Sequence, residues 1–123
     1  MVTRRTAKNK GSSFEYDCQY SLSTLYPDIW RTSERGFQLQ YDLECNEAVF
    51  ECKRLKSLSW NQATKFFNKL VNKTEHLSKY RYLLFKSNQQ PCLVMYVDDD
   101  LFTVRTFEDV FGVPFEKHPS TRG

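Results

Sequence analysis

The sequence predicts one α/β domain, a mixed β-sheet with helices packed on it. Three observations carry this expectation. The chain is 123 residues long and 40% hydrophobic, enough at this length to bury roughly two thirds of its unfolded surface. Its ten Phe, seven Tyr and two Trp would have no place to go in a disordered chain. Segments of helical period and strand period then follow one another in the order α-β-β-β-α-β-β-β-α, and no internal repeat is visible.

The first ten residues are basic and read as a flexible arm, with one domain over residues 11–113 and a tail over 114–123. After Gly11, Ser12 or Ser13 can cap a helix that runs to Tyr26 and stops at Pro27. Phe14, Cys18, Leu22 and Leu25 form its apolar stripe. A short strand is expected over 28–33, followed by a turn at Glu34-Arg35-Gly36. Residues 38–43 alternate polar and apolar, which predicts a strand with one buried face. A turn over 44–47 leads to the next strand, 48–53, apolar at its start and charged at its end.

Ser59 is placed to cap a second helix whose stripe is Trp60, Ala63, Phe67, Leu70 and Val71. Two β-rich runs, 81–86 and 92–97, are joined by Asn88-Gln89-Gln90-Pro91. Asp98-Asp99-Asp100 reads as a solvated turn before a strand over 101–105. Thr106 with Asp109 resembles a capping pair that opens a short last helix over 107–111.

Composition excludes several classes. No stretch approaches the ~20 apolar residues of a membrane helix, and the start lacks the apolar segment of a secretory signal. A soluble cytoplasmic protein is expected. Cys18, Cys45, Cys52 and Cys92 have no zinc-ligand spacing, so free, mostly buried thiols are expected.

The net charge of +3 conceals blocks. Residues 1–10 carry four cations and no acid, and 11–52 carry eight acids against Arg31 and Arg35. From 53 to 90 there are nine cations and one acid, and 91–116 are again acidic. The cationic block is a candidate phosphate-binding surface, and a solvated helix face is the plainer alternative.

Glu51 and Lys53 lie two apart on a strand, so their side chains leave the same face, while Cys52 points into the core. A hairpin around 44–47 would bring Asp42 beside Glu51. Two acids on neighbouring strands can hold a hard divalent cation, and the Lys53 ammonium beside them can neutralise charge growing on a phosphate under attack. The alternative is an ordinary cross-strand salt-bridge cluster of Asp42, Glu51 and Lys53. Spacing alone leaves both open.

Asp42…Glu51-Cys52-Lys53 resembles the D…E-x-K signature of the PD-(D/E)XK nuclease superfamily, and Lys10-Gly11-Ser12-Ser13-Phe14-Glu15 is similar to the opening of archaeal-type Holliday junction resolvases. Arg31-Thr32-Ser33 with Gly36 resembles the loop that precedes the metal-binding Asp in that family, with different spacing before Asp42. The likeness spans about residues 8–70, and the compact length fits a phage-encoded member.

The resemblance implies a restriction-endonuclease-like core, a symmetric homodimer and magnesium- or manganese-dependent incision of four-way DNA junctions. It makes Asp42, Glu51, Glu15 and the backbone carbonyl of Cys52 metal ligands, Lys53 the catalytic lysine, and Ser33 a contact to the scissile strand. Lys8, Lys10, Arg31, Arg35, Arg54, Lys56, Gln62, Lys65 and Lys69 are the candidate DNA contacts. No nucleotide cofactor and no membrane are implied. Two other readings remain: a restriction-like or repair endonuclease on duplex or flap DNA, and a non-catalytic DNA-binding protein of the same fold. Phe102, Phe107, Phe111 and Phe115 can seal a dimer interface, with core packing the stronger reading for each ring.

Overall fold

In a computed structural model that describes residues 3–35, 41–57 and 59–121, the elements follow from where the apolar periods break. Helix α1 spans Thr3–Leu22. It starts upstream of the expected cap at Ser12 or Ser13, so residues 3–10, expected as an arm, continue the helix. Arg, Ala and Lys are good helix formers, and one internal Gly costs only about 1 kcal/mol. The helix ends at Leu22 in a turn, with the Tyr26 N–H still reaching the Leu22 carbonyl at 2.9 Å. Phe14, Cys18 and Leu22 are buried as predicted, but Leu25 falls beyond the helix and is exposed.

Strand β1 (Trp30–Arg31) is shorter than expected because the chain tightens into a 3-10 turn over Thr32–Arg35. Thr32 anchors that turn: its N–H donates to the Asp42 carbonyl at 3.0 Å and its hydroxyl to the Tyr41 carbonyl at 2.6 Å. Strand β2 is Leu43–Glu44 only. Of the strand expected over 38–43, residues 38–40 lie outside the described residues, as does Gly36. Strand β3 is Ala48–Arg54.

Ser59 caps helix α2, Trp60–Lys73, by accepting from the Gln62 N–H. Ala63, Phe67 and Leu70 are its buried stripe, whereas Trp60, expected in it, is 54% exposed at the first turn. Strands β4 (Tyr80–Lys86), β5 (Leu93–Asp98) and β6 (Leu101–Thr106) follow, then helix α3, Phe107–Phe111. The Thr106 hydroxyl accepts from the Asp109 N–H as the sequence predicts, and Gly112 closes α3 at φ 73°, a left-handed position that suits glycine.

The six strands form one mixed sheet in the order β1-β2-β3-β4-β5-β6. Among the described residues only β3 and β4 are parallel, over seven pairs from Ala48↔Tyr80 to Arg54↔Lys86. A parallel pair needs a crossover, and α2 supplies it. Asp99 and Asp100 take φ 49° and 65°, the two left-handed positions of a tight hairpin turn between β5 and β6.

Side-chain alternation along β3 sends neighbours to opposite layers. Phe50 and Cys52 pack with Phe14, Cys18, Leu22, Phe107 and Phe111, while Val49 packs with Leu70 of α2. Ala63 and Phe67 cover Leu83, Phe85 and Met95 on the α2 layer. Phe107 and Phe111 are core residues, and Tyr82 meets Phe50 and Phe111 at 5.6 and 5.1 Å between ring centroids.

The expected tail from Pro114 is packed on α1. Phe115 meets Phe14 at 5.9 Å and Phe107 at 5.3 Å between centroids. The Glu116 N–H donates to the Ser21 hydroxyl, which donates back to the Glu116 carbonyl, and the His118 N–H donates to Asp17 Oδ1. The apolar ring of Phe115 and these fixed polar partners explain the docking. All four cysteines are free and buried.

Candidate acidic site

The site is assembled by α1, the segment just before β2, and β3. Asp42 is fixed twice by the backbone of β3: its N–H donates to the Phe50 carbonyl at 3.1 Å, and its Oδ2 accepts from the Cys52 N–H at 2.8 Å. This second bond replaces a regular ladder bond, which is why the chain bends at Asp42 rather than continuing as strand. Glu51 is buried on β3 beside Asp42 and helps to raise the pKa of its carboxyl. Glu15, on α1 one residue past the buried Phe14, hydrogen-bonds Asp42 from the other side. Asp42 therefore joins acids from two layers of the fold.

Electrostatics follow from this crowding. Burial, together with the hydrogen bond and negative charge of Asp42, pushes the Glu15 carboxyl up to about 7, against the pull of Arg31. Burial and the hydrogen bond to Glu51 push Asp42 up to about 7 as well, opposed by Glu15 and the Cys52 N–H. Asp42 and Glu15 are held up by burial and by the acid beside each of them, so both bind protons into the neutral range.

Arg31 opposes part of that rise. Its Nη2 contacts Glu15 Oε2 at 2.9 Å, its Nη1 lies 3.9 Å from Glu34, and its guanidinium lies 4.0 Å from the centroid of the Tyr16 ring. Among the described residues the buried Arg31 Nε has no hydrogen-bond partner. Arg31, a candidate phosphate contact, is buried and paired with Glu15.

Lys53 leaves the same face as Glu51, and its Nζ sits 4.9 Å from the centroid of the Phe66 ring on α2. Among the described residues it makes no ion pair, so the cross-strand salt-bridge cluster of Asp42, Glu51 and Lys53 is not formed. The acids are grouped with one another, and the lysine stands apart on an aromatic ring.

Carboxylate oxygens suit a hard divalent cation. Among the described residues no three His, Cys, Asp or Glu side chains form a ready-made metal cage. Binding of a cation there would displace the protons that burial favours on Glu15 and Asp42.

The other expected residues scatter around this centre. Ser33 is exposed on the 3-10 turn, and it is Thr32 that carries the turn's bonds. Arg54 is exposed and donates to Asn88 Oδ1 at 2.8 Å. Lys56, Gln62, Lys65 and Lys69 are exposed. The side chains of Lys8, Lys10 and Arg35 lie outside the described residues.

Two participants were missed. Tyr16, the neighbour of Glu15, gives the Arg31 guanidinium its platform. Lys86 is paired across from Arg54, and burial and that arginine's charge lower the pKa of its ammonium. No sequence pattern fixes which β4 residue lies opposite Arg54.

A surface depression lined by Glu47, Leu77, Ser78, Lys79, Tyr80 and Arg81 lies elsewhere. Its cations are already committed, Lys79 to Glu44 and Arg81 to the Thr74 hydroxyl and carbonyl. No helix among the described residues is long and apolar enough to cross a membrane. Comparison with known proteins finds no matching family, no matching curated protein and no matching solved structure.

Proposed function

We propose that the protein is a divalent-metal-dependent endonuclease with a restriction-endonuclease-like core, acting on branched DNA as a Holliday junction resolvase. The observation that carries this reading is the place of Asp42 between Glu15 of α1 and Glu51 of β3, with its Oδ2 on the Cys52 N–H and Lys53 one step along β3. A cluster of acids whose own lysine does not neutralise them is poor structural design, because like charges in a buried space weaken the fold. A bound cation would relieve that repulsion.

In this reading Glu15, Asp42, Glu51 and the carbonyl of Cys52 hold magnesium or manganese. The metal supplies Lewis acidity toward a phosphodiester oxygen. Asp42 is pinned by two backbone bonds, which fixes the centre of the site relative to β3. Arg31 holds the Glu15 carboxylate toward Asp42 and offsets its charge. Lys53, unpaired by acids among the described residues and resting on Phe66, can approach a phosphate and stabilise negative charge in the transition state. Exposed Arg54, Lys56, Lys65 and Lys69 continue from β3 onto α2, where they can hold the sugar-phosphate backbone without reading bases.

The experiment is incubation of the protein with a labelled four-way junction, a flap and a plain duplex, each with and without magnesium. Paired magnesium-dependent incisions in the junction are expected, leaving 5′-phosphate and 3′-hydroxyl ends. Asp42→Asn, Glu51→Gln and Lys53→Ala should each lower cutting by at least about a hundredfold with binding kept. Parental cutting by any of the three removes the assigned site. Equal cutting of all three DNAs removes the junction preference, and salt-sensitive binding with no incision in either divalent metal removes the enzyme.

A further inference from the structure

We propose that the protein forms a two-fold dimer by pairing the outer edge of β6 with the same edge of a second copy, making one continuous sheet. β6 stands last in the strand order, and among the described residues nothing pairs with its outer side. The pair Asp98↔Leu101 closes a two-residue turn, so Leu101, Thr103 and Arg105 direct their backbone groups toward β5. The bond from the Phe107 N–H to the Cys92 carbonyl at 2.9 Å continues that alternation. Phe102, Val104 and Thr106 therefore turn their N–H and C=O groups outward.

The edge lacks the usual protections of a solitary strand. It contains no proline, and its one charged residue is Arg105. Leu101 is 68% exposed and Phe102 is 41% exposed, with the neighbouring Val97 also exposed. An apolar edge of this length templates another strand unless something covers it.

The pattern selects a second copy as the occupant. An antiparallel pair about a two-fold axis through Thr103 sets Phe102 opposite the second copy's Val104, twice, with outward backbone groups meeting. Phe102 already meets Phe67 of α2 edge-on at 5.7 Å, and Val104 packs with the Phe67 and Met95 cluster, so the two α2-side cores would join across the axis. Charge fits the same direction. The acidic turn Asp98-Asp99-Asp100 lies at one end of the edge and Arg105 near the other, so antiparallel pairing brings each Arg105 toward the other copy's acids. Parallel pairing would set three acids against three.

This names a partner surface for the nuclease read above, but its test uses neither DNA nor metal, so either can fail alone. Sedimentation velocity across the micromolar range should give a dimer for the parent, and Phe102→Lys should weaken self-association about tenfold or more. Circular dichroism on the same samples reports whether the variant is folded. Thr103→Cys gives an independent reading, because residues facing each other across the axis in a non-hydrogen-bonded pair have Cα atoms about 4.5 Å apart, within disulfide range. Diamide oxidation of that variant should yield a covalent dimer on a non-reducing gel, and adding Phe102→Lys should abolish it. A monomeric parent overturns the proposal. So does a dimer indifferent to Phe102→Lys in which Thr103→Cys does not cross-link.

Discussion

Asp42 is the residue on which the site turns, and its environment makes a pH signature. Its carboxyl and that of Glu15 are both pushed up to about 7, from ordinary values of 3.8 and 4.5, by burial and by neighbouring acids. Between about pH 4 and pH 7 the folded protein holds protons that the unfolded chain has released. Stability therefore falls as pH rises through that window and levels off above it. Asp42→Asn removes one of the crowded charges while its side-chain oxygen can still accept the Cys52 N–H. The variant should melt at a higher temperature than the parent at pH 8, with the gap narrowing toward pH 5. A gap that widens on acidification would falsify the assignment of mutual repulsion, and scanning calorimetry of both proteins in metal-free buffer decides it.

At the scale of elements, the sequence was most legible where a local rule closes an element. Ser59 and Thr106 both cap the helices predicted for them, and the Asp98–Asp100 turn sits between two strands as expected. Legibility failed where tertiary partners decide. The strand expected over 28–33 shortened because Thr32 bonds Asp42 and Tyr41, partners ten and nine residues away. Asp42 and Glu51 were singled out because an E-x-K strand end and an upstream Asp are sequence patterns, and Glu15 through the family resemblance alone. The pairing of Arg31 with Glu15 was not, because it joins α1 to β1 across the fold.

The segment after α3 is the clearest such miss, since Pro, Gly and charge around Phe115 read as a tail. Phe115 instead covers Phe14 and Phe107, both almost fully buried. Phe115→Ala should cost about 2 kcal/mol in urea denaturation, through lost ring burial and a cavity over α1. A loss below about 0.5 kcal/mol would mean the docked segment adds nothing to the fold.

Across the whole molecule, the charge blocks of the chain become geography. The acids of residues 11–52 include Asp42 and, on either side of it, Glu15 and Glu51, and the cationic block begins at Lys53 and runs on into α2. Lys65 and Lys69 are exposed on α2 and stand one helical turn apart, so both can face one DNA backbone. Each lysine that neutralises a phosphate releases about one condensed counterion, and log Kd then varies with log salt by about 0.9 per contact. Replacing both by glutamine should weaken binding to unrelated duplex sequences equally and reduce the salt slope by about two. Fluorescence anisotropy of a labelled duplex, titrated at several salt concentrations in calcium to prevent cutting, measures both quantities. An unchanged slope would show that this face of α2 lies away from DNA, and the cationic block would then be only a solvated helix surface.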